Sequence, residues 1–203
     1  MTVAHPRIGM DRYVDVDWMA LAASIVRGEL TQEDLNARLE EDIPGPQVRR
    51  KVGGILNRMW FPSDLSGQDL SHRAAKLAAK ANGESLAAFE AVAIGAYPYF
   101  RQVVENVGRL LRLQETCTAG EVHRRMFEQH GKRSTIDQAT SYGFKTMVSW
   151  GMIQRQPDHR LSPATVQPIT AAARKLLDEA ANRSRCSVSP LQPTDPLLFP
   201  FLA

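Results

Sequence analysis

The sequence contains little cysteine and no long apolar run, and both absences narrow the class of protein. Of its 203 residues only Cys117 and Cys186 are cysteine, and they lie in unrelated contexts, so neither a disulfide framework nor a zinc site is indicated. The most apolar stretch, residues 86–96, contains Glu90 and is too short to cross a bilayer. Residues 1–9 lack the apolar core of a signal peptide. We therefore expect a cytoplasmic protein that does not bind membranes.

The sequence also lacks the residue patterns that catalysis and cofactor binding usually require. Gly53 and Gly54 lie inside a helical pattern, where close packing of a neighbouring helix explains them better than a phosphate-binding loop does. His123 and His130 share one helix face but are two turns apart, too far to share a metal without further ligands. Cys117 has His123 nearby but no third group to complete a nucleophilic site. We expect a non-enzymatic protein with no metal and no cofactor.

Apolar residues at helical spacing dominate what is present. Hydrophobic residues make up 43% of the chain, enough to bury a core in one elongated domain or two small ones. Residues 1–96 predict a helical bundle, in which Asp15 or Asp17 caps a first helix and Thr31 opens a second. The Pro-Gly-Pro break at residues 44–46 precedes a third helix. The expected fold class is mainly α.

Residues 97–183 predict a winged helix-turn-helix with a C-terminal packing helix. An apolar stripe from Phe100 to Leu113 indicates its first helix. Thr116 or Thr118 caps a second helix, which ends at Gly131.

The third helix and a hairpin complete this predicted unit. Ser134 is a suitable cap for the third helix, whose apolar face consists of Ile136, Ala139, Gly143, Met147 and Trp150. Residues 151–161 predict a short β-hairpin, the wing. A last helix, over residues 165–182, is expected to pack back on this unit or to form a dimer contact.

The third helix of such a unit enters the major groove of DNA, so its polar face supplies the candidate binding residues. Arg and Lys neutralise phosphates, Ser and Thr bond phosphate oxygens, and Gln pairs with adenine. Asp137 on this face either favours the helix N-terminus or reads a cytosine amino group, and the first interpretation is the simpler one. The candidates on the helix and wing are Arg133, Ser134, Thr135, Gln138, Ser141, Tyr142, Lys145, Arg155, His159 and Arg160.

The distribution of charge supports this placement. Residues 96–160 carry 10 basic and 6 acidic side chains, a balance of +4, whereas residues 1–95 carry 11 and 13, a balance of −2. The positive excess therefore coincides with the predicted duplex-binding unit. Winged helices also serve as protein-docking surfaces, so a protein-binding role stays open.

A second basic cluster lies on the third helix of the bundle. Its members could form a second DNA contact, because separate positive patches along one duplex add their counterion release. The alternative is that they are a solvated face or pair with the acidic run at residues 40–42. The cluster consists of Arg49, Arg50, Lys51 and Arg58.

Residues 184–203 form a tail with four prolines, which prevent a continuous helix or central strand. Its end, residues 197–202, is strongly apolar. We expect this end to dock on its own chain, in a homodimer or on a partner, because an exposed apolar patch promotes aggregation.

The layout of the chain resembles the BrxA family of bacteriophage exclusion (BREX) systems. The likeness covers about residues 13–160 and comprises a helical first half with the Arg-rich helix at residues 48–59, an apolar helix around residues 97–100, and the terminal winged helix. The resemblance implies a non-catalytic accessory protein of a prokaryotic phage-defence system. Such a protein binds double-stranded DNA largely through the backbone, beside methyltransferase and ATPase components. A protein-protein scaffold subunit and an autonomous transcriptional regulator are the alternatives, and RNA is not distinguished from DNA.

Overall fold

The computed structural model describes residues 8–80 and 83–183, and the expectations for the tail at residues 184–203 lie outside them. The described residues form nine α-helices and one β-hairpin, which confirms the mainly α fold class. The elements are α1 Val16–Val26, α2 Gln32–Asp42, α3 Pro46–Trp60, α4 Leu65–Ala78, α5 Gly83–Ala96, α6 Pro98–Gln114, α7 Ala119–His130, α8 Ser134–Ser149, β1 Ile153–Arg155, β2 Leu161–Pro163 and α9 Ala171–Arg183.

Local signals place the helix ends of the first half where the sequence predicts them. Asp15 caps α1 by accepting a hydrogen bond from the backbone N–H of Asp17. Thr31 and Asp34 form a capping box at the start of α2. Pro46 occupies the first turn of α3, where the missing N–H costs nothing.

The bundle is built around α5. Every residue of this helix from Leu86 to Ile94 is buried, and α5 contacts α3, α4, α6 and α9. A helix that is apolar all round is stable only with neighbours on every side. No helix in residues 8–80 and 83–183 is long and apolar enough to cross a membrane.

The final helix differs from its prediction in both its start and its position. α9 begins at Ala171, because Pro168 disfavours helical backbone before it. Thr170 then caps the helix, and its own N–H donates to Glu84 of α5 at 2.7 Å. α9 packs against α4 and α5. Its apolar side chains Leu176 and Leu177 are buried, and most of its packing is with the bundle and not, as expected, with the winged helix. One buried bond joins it to α6 of the predicted winged-helix unit, because Arg101 donates to the carbonyl of Ala181 at 2.8 Å.

Residues 98–163, here called the C-terminal unit, comprise α6, α7, α8 and the hairpin. α6 contacts both α7 and α8. A Cβ on Gly143 of α8 would lie 3.3 Å from Val103 of α6, so the two helices approach closely at this glycine. The apolar stripe of α6 stops short of its prediction, because Leu113 is 77% exposed near the helix end.

The segment before α1 joins the bundle to α8. The backbone N–H of Val14 donates to Thr146 Oγ1 at 3.1 Å, and the indole N–H of Trp150 donates to the carbonyl of Val14 at 3.1 Å. Val16 makes a similar bond to Ser149. The C-terminal half of α8 is therefore held by the bundle.

The glycine pair of α3 does not have the role that the sequence suggested. A Cβ at Gly53 or Gly54 would meet no atom within 4 Å. Close packing of a neighbouring helix is therefore the wrong explanation. Both glycines weaken α3 without any compensation in packing.

Candidate nucleic-acid interface

The residues predicted to bind DNA on α8 share one side of the helix. Ile136, Ala139, Gly143 and Met147 are buried on the opposite side, as the spacing predicts. Ser141 and Tyr142 are half-buried, and the other predicted residues are exposed: Arg133, Ser134, Thr135, Gln138 and Lys145.

The start of α8 lies one residue from the predicted cap. Arg133 occupies the cap position, no side chain caps the backbone, and Ser134 is already in the first turn. The Arg133 guanidinium donates one hydrogen bond to the carbonyl of His130 at 3.0 Å. Its other N–H groups stay available to an anion, because a guanidinium has five donors.

Two cations flank Tyr142 at the middle of α8. Lys145 Nζ lies 5.5 Å from the ring centroid, and the Arg12 guanidinium carbon lies 5.7 Å from it. These are cation–π distances. Arg12 is not predictable as a member of this surface, because nothing in the local sequence pattern links the segment before α1 to α8.

Of the three DNA-binding candidates predicted on the hairpin, two are exposed and one turns inward. Arg155 and His159 are exposed, and His159 adopts a positive φ of 65° at the tip. Arg160 instead turns inward, and its Nε donates to Thr116 Oγ1 at 2.8 Å. Arg160 therefore anchors the hairpin to the segment between α6 and α7.

A further strand-like contact joins this hairpin to Cys117, in the segment between α6 and α7. Cys117 and Leu161 exchange backbone hydrogen bonds of 2.8 and 2.7 Å. The side chain of Cys117 is fully buried, and burial raises the pKa of its thiol to about 11. The thiol is therefore protonated at neutral pH and is a poor nucleophile.

The capping box at the start of α7 forms as predicted, with Thr118 as the cap. Glu121 accepts hydrogen bonds from the backbone N–H of Thr118 at 2.7 Å and from its hydroxyl at 2.8 Å. The backbone bond from Thr118, a bond from the Gln114 side chain at 3.1 Å and the Thr118 hydroxyl, in that order, lower the pKa of Glu121 to about 2. Gly131 ends the helix with φ of 79°.

The two histidines of α7 have separate polar partners. His130 Nε2 lies 2.6 Å from Gln102 Oε1, and its ring stacks against Tyr99. His123 Nδ1 lies 3.2 Å from Asp137 Oδ1, and its Nε2 lies 3.3 Å from Ser141 Oγ. Within the described part of the chain, no group of three or more His, Cys, Asp or Glu side chains is placed to hold a metal.

Ser141, His123 and Asp137 contact one another in the arrangement of a Ser-His-Asp hydrolase triad. Such a triad also requires backbone N–H donors that stabilise an oxyanion. Ser141 lies in the interior of α8, where the backbone N–H groups are engaged in helix hydrogen bonds. The backbone N–H groups beside Ser141 therefore cannot supply the pair of donors that stabilises an oxyanion. Burial lowers the pKa of His123 below its ordinary value, against the opposing effect of Asp137.

The second basic cluster combines internal contacts with exposure. Arg49 is half-buried and pairs with Glu40 at 3.2 Å, in agreement with the alternative interpretation of this cluster. Lys51 lies 3.7 Å from Asp11, and the Arg58 guanidinium carbon lies 5.3 Å from the centroid of the Tyr97 ring. Arg50, Lys51 and Arg58 are all exposed.

Comparisons with known protein families, with curated proteins and with solved structures find no match to this chain. The geometry of α8 and its surroundings is therefore the basis for any functional assignment.

Proposed function

We propose that this protein binds duplex DNA by inserting α8 into the major groove, with the C-terminal unit acting as a winged helix. The proposal rests on the order of the secondary-structure elements along the chain. A helix, a strand-like residue at Cys117, two helices and a hairpin follow one another, and Cys117 pairs with Leu161 of the hairpin. In winged helices, the last helix before the hairpin is the one that reads DNA.

The free part of α8 is the part that a groove would accept. Recognition helices contact base edges through their N-terminal residues. The bundle holds α8 at Thr146 and Ser149, near its C-terminal end. Gln138 lies in the exposed N-terminal half and can bond adenine, whereas Arg133 and Lys145 can neutralise phosphates.

We further propose that the protein acts as a non-catalytic accessory component of a BREX-like phage-defence system in the cytoplasm. Binding through the backbone with limited sequence preference suits a protein that positions other components on DNA. Homodimer formation would extend the contact along the duplex. The support is the family-like layout of helical first half and terminal helix-helix-hairpin unit.

Salt-dependent binding to a random duplex tests this proposal. Each phosphate contact contributes about −0.9 to the slope of log K against log salt. Replacing Arg133 and Lys145 together with Ala should make the slope shallower by about 2 and weaken binding to all sequences alike. Arg174 and Lys175, exposed on α9, form the matched control pair, and their removal should leave the slope nearly unchanged.

Three outcomes separate the proposal from its alternatives. Equal effects of the two double variants would remove α8 from the interface. A complete lack of duplex binding at low salt would favour a protein-docking scaffold. Discrimination of a thousandfold or more between one site and random duplex would favour a transcriptional regulator.

A further inference from the structure

Asp137 is an unexpected residue on a surface that meets a polyanion. It lies in the first turn of α8 and its side chain is 61% exposed. Gln138 and Thr135, also exposed, are its neighbours on the proposed DNA face. A carboxylate here repels phosphates. On a DNA-binding face, this repulsion must be offset by a favourable interaction that the same carboxylate makes.

A role in the helix dipole alone does not account for its surroundings. A carboxylate in a first turn interacts with the helix N-terminus without needing a partner. Here His123 of α7 places Nδ1 3.2 Å from Asp137 Oδ1. Nδ1 of His123 has no hydrogen-bond partner among the described residues, so this is a close polar contact and not a hydrogen bond.

The histidine is itself fixed. Its Nε2 lies 3.3 Å from Ser141 Oγ, and its ring packs against Phe127 and, edge-on, Phe144. One oxygen of Asp137 thus lies against a half-buried ring that is itself held in place. No donor from residues 8–80 or 83–183 contacts the second oxygen, Oδ2.

We propose that Asp137 is a specificity-determining residue that accepts a hydrogen bond from the N4 amino group of cytosine in the major groove. This inference rests on the proposed DNA-binding function. Cytosine presents only a donor at that edge, whereas adenine adds the N7 acceptor, which repels a carboxylate. His123 is the positioning residue, because it restrains the carboxylate before DNA arrives.

Selection of duplexes from a random library with the full-length protein tests the proposal. The wild-type protein should enrich cytosine at one position by about 5- to 10-fold, which is the lower part of the range for one base contact. Asp137→Asn should abolish this enrichment while binding random duplex at least as tightly, because it removes a negative charge. Glu128→Gln, an exposed position on α7 with the same change of charge, should keep the enrichment.

Substitution of His123 tests its positioning role. His123→Phe should preserve the packing yet reduce the cytosine enrichment, whereas His123→Gln, which keeps a donor, should retain more of it. Circular dichroism melting of each variant separates loss of specificity from loss of folding, and Asp137→Ser provides a second exposed variant.

The failures of the two proposals are distinguishable. Duplex binding by the wild-type protein without cytosine enrichment, or enrichment that survives in both Asp137→Asn and Asp137→Ser, overturns the role of Asp137 alone. Absence of any duplex binding overturns the proposed function as well.

Discussion

Replacing Glu90 with Met should stabilise the protein, and more so at alkaline pH. Glu90 lies in the middle of α5 with an exposed fraction of 0%. Neither of its carboxyl oxygens has a hydrogen-bond partner among the described residues. Burial raises the pKa of Glu90 well above its ordinary value, so the folded protein holds a proton that the unfolded chain releases. Stability is therefore lost as pH rises above the ordinary value of a glutamate.

The size of the effect follows from the unsatisfied carboxyl group. A buried polar group without a partner costs about 1–3 kcal/mol. Met has a similar length and no such group, and repacking after a volume-conserving change costs less than about 1.5 kcal/mol. We expect the free energy of unfolding to increase by about 1–2 kcal/mol near neutral pH, from the difference of these terms.

Urea unfolding of the full chain, followed by circular dichroism at pH 5 and pH 8, measures both parts of this prediction. The gain from Glu90→Met should be larger at pH 8. Glu90→Gln is the control, because it removes the titrating proton but leaves a buried polar group, so it should flatten the pH dependence with a smaller gain. A Met variant less stable than the wild type at both pH values would refute the reasoning.

The remaining predictions concern one glycine of α4, one glycine of α3, a helix cap and a histidine. Gly67→Ala should lower the unfolding free energy by about 1–3 kcal/mol, because its Cβ would lie 2.8 Å from two carbons of the rigid Pro62 ring and 2.9 Å from the Arg183 guanidinium. Gly54→Ala should raise it by about 0.5–1 kcal/mol, since no atom lies within 4 Å. Thr118→Ala should cost about 1 kcal/mol by removing the capping box. Burial lowers the pKa of His123, so stability should fall as pH drops through about 6.5, and this dependence should be weaker in His123→Gln.

Chemical denaturation measures the four changes in stability. Gly67→Ala and Gly54→Ala should change the unfolding free energy in opposite directions, because only the first glycine is crowded. Changes in the same direction would contradict the packing of α3 and α4. For the helix cap, nuclear magnetic resonance should also show the pKa of Glu121 moving up from about 2, because a bond from the cap hydroxyl is lost. A pH dependence that is the same with and without His123 would contradict its burial.

Local chemistry made most helix boundaries predictable from the sequence. The capping box at Thr118, the stop at Gly131 and the proline at residue 46 each act within one helical turn. The apolar face of α8 was also predictable, because its side chains recur at helical spacing. These signals depend on neighbours in the chain, so they can be recognised from the sequence without the tertiary structure.

The errors have local and distant causes. At the start of α9, Pro168 is a local signal that the predicted helix over residues 165–182 overlooked, whereas the bond from the Thr170 N–H to Glu84 of α5 joins distant parts of the chain. The inward turn of Arg160 depends on Thr116, which lies before α7.

By itself, the sequence determined the helical architecture, the exposed polar face of α8 and the excess of positive charge in the C-terminal unit, because periodicity, capping and charge are properties of short segments. Only the tertiary structure decided that Arg12 lies at cation–π distance from Tyr142, that His123 contacts Asp137 and that α9 joins the bundle. These contacts join residues far apart in the chain, and no local pattern encodes which distant partner will pack against a given side chain.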